Sequence, residues 1–165
     1  MKNFINIFLL ASALIVASCD TDPCRDVTCG TYGTCSEGTC TCEAGYEQDT
    51  DGLCNTEQRA KFIAGYNLSE TCDSGTDNYS VTIATSSQGI MKINVTGLYG
   101  AARTVSVDVS SDGSQFTIPE NTPYGTGTIQ GTGTYNTADM TVTVNYAFTD
   151  ALGSVDNCTA TLTRL

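Results

Sequence analysis

Val142-Thr143-Val144-Asn145-Tyr146-Ala147-Phe148 decides the fold. Large apolar side chains fall on even positions and smaller or polar ones on odd positions, the period of two with which side chains leave a strand on opposite faces. The same alternation sets Met91, Ile93 and Val95 against Lys92, Asn94 and Thr96, and Val105, Val107 and Val109 against Ser106 and Asp108. Strands that are apolar on one face only belong to half-buried antiparallel sheet. Breaks at Ser74-Gly75, Gln88-Gly89, Tyr99-Gly100, Asp112-Gly113 and Leu152-Gly153 punctuate them, with further turns expected at Asn121-Thr122-Pro123 and Thr137-Ala138-Asp139. About eight strands are predicted, near 62–71, 78–86, 90–97, 103–110, 115–119, 125–135, 140–148 and 156–164. Such a run reads as a meander that closes into a barrel or a sandwich.

Cys72 and Cys158 decide between these shapes. Cys72 shares parity with Phe62, Tyr66 and Leu68, and Cys158 with Ala160 and Leu162, so both face inward. A disulfide requires Cα atoms within about 7 Å. It would set the end of the first strand beside the last strand and close the barrel. The expected fold is therefore mainly β, an antiparallel meander barrel over 62–165 clasped by Cys72 and Cys158. In the sixth strand, Gly125, Gly127, Gly131 and Gly133 share the parity of Ile129 and Tyr135. Inward glycines let a strand bend or leave room. Either a ligand cavity uses that room, or large residues such as Phe116, Tyr146 and Phe148 fill it. The opposite parity is a threonine ladder, Thr126, Thr128, Thr132 and Thr134, continued by Thr141, Thr143, Thr159, Thr161 and Thr163. It suits a hydrated outer face, or one that presents hydroxyls to a glycan or protein partner.

Upstream the composition changes. Six cysteines crowd into positions 24–54 as Cys24-x4-Cys29-x5-Cys35-x4-Cys40-x-Cys42-x11-Cys54, followed by the polar stretch 55–61, which reads as a short linker. A segment this short cannot bury enough apolar surface to fold without crosslinks. Six cysteines allow 15 pairings. A zinc site also uses Cys-x4-Cys spacing, but the chain has no histidine and exported cysteines favour disulfides. The single residue between Cys40 and Cys42, with Gly45-Tyr46 after the fifth cysteine, resembles an EGF-like domain. That resemblance implies bonds Cys24–Cys35, Cys29–Cys40 and Cys42–Cys54.

Some EGF-like domains bind calcium through an acidic run before the first cysteine. Asp20 and Asp22 match it, but Pro23 stands where Glu or Gln is expected, and Ser36-Glu37-Gly38-Thr39 lacks the usual Asp or Asn and aromatic residue. Calcium takes six to eight oxygen ligands, so Asp20 and Asp22 are candidates for weak binding at best. Asp49-Thr50-Asp51-Gly52 opens like an EF-hand loop but has no closing glutamate; it reads as a tight turn between two short strands.

At the N-terminus Lys2 precedes an apolar stretch from Phe4 to Val16, shorter than the roughly 20 residues of a membrane-spanning helix. Val16-Ala17-Ser18-Cys19 resembles a bacterial lipobox. The resemblance implies a signal peptide over 1–18, removed before Cys19, acyl chains on Cys19, and a tether over 19–23. Two or three chains anchor a protein almost permanently, at about 0.8 kcal/mol per buried methylene. Nine cysteines less Cys19 leave eight, an even number for an oxidised exported chain.

Losing Lys2 with the first 18 residues leaves 6 basic against 18 acidic side chains, a net charge of −12 that repels nucleic acid and anionic membranes. No histidine is present as base or metal ligand, the cysteines are all assigned, and the carboxylates sit mostly in turns with none marked as buried. A glycosidase pair has no positive support. The expectation is a non-catalytic protein without a resident cofactor. Gly65-Tyr66 resembles the Gly-x-Trp of lipocalins, although the chain has no tryptophan. The whole layout resembles small surface lipoproteins of the Bacteroidetes type. Two functions follow: a binding, adhesion or structural module on a protein or glycan partner, with recognition loops such as Tyr99-Gly100-Ala101 or Pro119 to Tyr124, or a lipocalin-like carrier of a small apolar ligand. The expected address is the outer membrane, lipid-anchored, at the cell surface. Asp20 argues both ways: an Asp after the lipidated cysteine resembles an inner-membrane retention signal in many Gram-negative bacteria and a surface-export signal in Bacteroidetes.

Overall fold

The computed structural model describes residues 22–165. Two short hairpins come first: β1 Gly33–Ser36 with β2 Thr39–Cys42, and β3 Tyr46–Gln48 with β4 Cys54–Glu57. Disulfides join Cys24 to Cys35, Cys29 to Cys40 and Cys42 to Cys54. Between β3 and β4 the Asp49 carboxylate accepts the N–H groups of Asp51 and Leu53 and Gly52 takes φ 78°, a tight turn.

Eight strands then form one closed antiparallel barrel: β5 Ala64–Cys72, β6 Gly75–Thr85, β7 Lys92–Thr96, β8 Thr104–Val109, β9 Gln115–Tyr124, β10 Gly127–Asn136, β11 Thr141–Thr149 and β12 Val155–Arg164. Each strand pairs with its sequence neighbours, and β12 returns to pair with β5. Cys158 lies directly opposite Cys72 in that last ladder, and the two are bonded. Alternation puts Val142, Val144 and Tyr146 inside, with Val105, Val107 and Val109 from β8 and Ile93 and Val95 from β7. The inward glycines of β10 are filled against: a Cβ on Gly133 would lie 2.1 Å from the Phe116 ring, one on Gly131 2.6 Å from the Tyr146 Cβ, and one on Gly127 3.0 Å from the Phe148 ring. The Phe116 ring occupies the room that Gly133 leaves, while Gly127 and Gly131 lie against the backbone carbonyls of Thr149 and Asn145 on the neighbouring strand.

Three expectations are corrected. Phe62 is not in a strand; it ends a 3₁₀ turn, Gln58–Phe62, and plugs the barrel base with its ring fully buried. The polar stretch 55–61 is structured, carrying most of β4 and that turn. Its Gln58 and Arg59 are buried, because the Arg59 guanidinium reaches the carbonyls of Ser86, Gly89 and Lys92 at 2.9–3.0 Å and the Glu57 carboxylate at 2.8 Å. Asn121-Thr122-Pro123 is not a turn but part of β9, and the chain reverses only at Gly125. Two prolines survive in that strand because β9 pairs with β8 only at Phe116 and Thr117, so its later residues have no ladder on that side. Opposite Gln130 the register skips from Ile118 to Thr122, and Asn121 takes φ 57°; Pro119, Glu120 and Asn121 form an outward bulge.

Candidate functional site

The threonine ladder becomes a surface through strand register. Thr117, Thr132, Asn145, Thr159 and Thr71 stand side by side across β9, β10, β11, β12 and β5, each facing the next. All five are exposed. They floor a hollow of about 700 Å³ on the outside of the barrel. Glu120, on the β9 bulge, stands at one side, and Asp73 with Asn157 at the other, where Asn157 Nδ2 donates to the Asp73 carboxylate at 2.9 Å. Within the row, Thr159 Oγ1 meets the Asn145 amide oxygen at 2.9 Å, while the hydroxyls of Thr71, Thr117 and Thr132 have no hydrogen-bond partner among the described residues. These groups donate and accept at the same spacing on one wall.

A second hollow, about 440 Å³, lies at the barrel end formed by the turns after β5 and β11 and the loop between β7 and β8. Tyr99 sits there in the left-handed region, φ 54°, between Gly97 and Gly100. Its ring stacks on Phe148 at 4.5 Å, and its hydroxyl donates to Asp156 at 2.8 Å. Asp156 also accepts from the Ser74 hydroxyl, which holds its carboxyl below the usual range. The expected recognition loop Tyr99-Gly100-Ala101 thus spends its aromatic ring internally. The backbone beside it is pinned by Tyr124, whose hydroxyl donates to the carbonyls of Leu98 and Ala101.

One ionisable group was missed. Glu70 is only 5% exposed inside the barrel, and the Tyr146 hydroxyl donates to its carboxylate. Burial, then this bond, pushes the Tyr146 phenol far up, so it stays protonated and donating. The Tyr79 hydroxyl is buried without a partner among the described residues. The signal was in the alternation: Glu70 shares the parity of Tyr66, Leu68 and Cys72.

Among the expected site residues, Cys24, Cys29, Cys35, Cys40, Cys42, Cys54, Cys72 and Cys158 all lie in disulfides. Asp22 accepts the Cys24 N–H at 2.9 Å, capping a turn. Cys19, Asp20, the signal peptide 1–18 and the first part of the tether lie outside the described residues. The one grouping of metal-ligating side chains among the described residues joins Glu70 with Cys72 and Cys158, whose sulfurs are bonded to each other and so present no thiolate. On the disulfide module, Tyr32 and Tyr46 stack at 3.7 Å, and the hydrogen bond with Tyr32 pushes the Tyr46 phenol up to about 12.

No known protein family matches the chain, and no curated protein matches its sequence.

Proposed function

We propose that the chain is a lipid-anchored envelope protein at the outer membrane surface, and that its barrel is a non-catalytic binding module. The observation that carries this reading is an exposed, hollowed polar face on a barrel whose interior is packed with its own side chains. The anchor is supported by cysteine arithmetic: the eight cysteines from Cys24 to Cys158 pair among themselves, which leaves Cys19 over for the lipid. The stiff junction favours a spacer role for the disulfide module. The Lys61 ammonium meets Glu47 at 2.8 Å, Gln58 Nε2 donates to the Ser111 carbonyl, and Gly45 closes on Ile90. Four residues separate Cys19 from Cys24, so the module would stand against the membrane and hold the barrel above it.

Protease applied to intact cells is the test, with permeabilised cells as the control that the barrel is cleavable and Cys19→Ser as the control for the anchor. The expected result is loss of the barrel from intact cells and release of the Cys19→Ser chain from membranes. Protection in intact cells alone overturns the surface address, and a Cys19→Ser chain that stays on membranes overturns the anchor. The carrier reading is favoured by the closed eight-stranded topology; organic extraction of protein from native membranes, followed by mass spectrometry, would recover a stoichiometric apolar ligand if it holds.

A further inference from the structure

We propose that the outer hollow over β9–β10–β11–β12–β5 binds an extended neutral oligosaccharide along the row Thr117, Thr132, Asn145, Thr159 and Thr71. This deepens the binding-module reading and rests on it. With strands about 4.8 Å apart the row extends about 19 Å, the length of roughly four pyranose units. Threonine hydroxyls and the asparagine amide each donate and accept, as sugar hydroxyls do, so a sugar can satisfy either role at every step. The threonine methyls beside them offer small apolar contacts to the C–H faces of a ring.

The chemistry of the flanks selects the class. Glu120 and Asp73 border the hollow and no Lys or Arg lines it, which disfavours sulfated, phosphorylated or uronate chains. Protein partners are usually held by buried aromatic or Arg anchors. None stands in the row, and the large exposed hydrophobics among the described residues, Met140, Leu152, Val155 and Leu165, lie elsewhere. Two features make the face rigid. The β9 bulge raises Glu120 as a wall, and the Cys72–Cys158 bond locks the β5–β12 seam beside Thr71 and Thr159, so little ordering is left for binding to cost.

Saturation-transfer NMR on the full chain tests this, with cellotetraose, chitotetraose and maltotetraose as neutral probes and tetragalacturonate as the acidic one. The expected result is transfer to at least one neutral tetramer and none to the acidic one. Thr132→Lys or Thr159→Lys should weaken binding by at least about tenfold with the melting temperature unchanged. Thr132→Ser should retain binding, and so should Thr134→Lys, one row away. Equal transfer to the acidic tetramer, or neutral binding that survives both lysine variants, overturns the site. Silence with every sugar overturns the inference; the surface address, read by protease on intact cells, is untouched by that result, and the binding-module reading then stands only if the barrel captures a defined surface protein. Sugar binding by a barrel that proves periplasmic supports the inference and removes only the surface address.

Discussion

Gly133 shows how a single missing atom shapes this barrel. Its backbone is ordinary extended strand, so its freedom of φ is not in use; what matters is that Phe116 lies where its Cβ would be. Gly133→Ala must push a fully buried ring out of place, and overpacking of this kind costs about 1–3 kcal/mol. Thr134→Ala, next in the strand and exposed, should change stability by less than about 0.5 kcal/mol. Urea unfolding of both variants checks the pair: equal midpoints would mean that Phe116 does not fill the space, and would strengthen the carrier reading. At this scale much was legible. The parity of the glycines and of the Phe116 ring that covers Gly133 is in the sequence, and so is the inward parity of Glu70. Its partner was not, because Tyr146 reaches Glu70 from a strand 76 positions away.

Among the elements, the 3₁₀ turn Gln58–Phe62 does the most that its sequence conceals. Polar residues without an apolar period look like linker, yet Arg59 gathers three carbonyls of the β6–β7 connection and Gln58 takes one from the β8–β9 turn. Arg59→Ala leaves the buried Ser86 carbonyl without its donor, while the Gly89 and Lys92 carbonyls keep the backbone N–H groups of Lys92 and Ser86, and should cost about 1.5–3 kcal/mol, the contribution of a hydrogen bond to a charged group. Hydrogen exchange should quicken at Ser86–Lys92 before it does in β11 or β12. Uniform loss of protection would show that the turn does not act locally. The β9 bulge was equally hidden. Asn121-Thr122-Pro123 carries turn chemistry, but the ladder to β10 resumes at Thr122 and keeps the segment in the sheet.

For the whole molecule, closure rests on β12 returning to β5, and the Cys72–Cys158 bond fastens that seam across 86 positions. By the chain-entropy account a loop of that length is worth on the order of 4–5 kcal/mol, so Cys72→Ser with Cys158→Ser should lower unfolding free energy by up to that amount while the barrel still folds. Circular dichroism through a urea titration reads it; an unchanged midpoint would mean that the hydrogen-bonded seam and core hold the chain as tightly without the bond. The sequence by itself determined the eight-stranded antiparallel plan, the inward and outward sets and the separate cysteine-rich module, because period-two patterning and cysteine spacing are local. Only the tertiary structure decided the Arg59 clasp, the buried Glu70–Tyr146 pair, the bulge and the alignment of five side chains into one polar row. Each depends on the register between strands distant in the chain, which alternation within one strand does not contain.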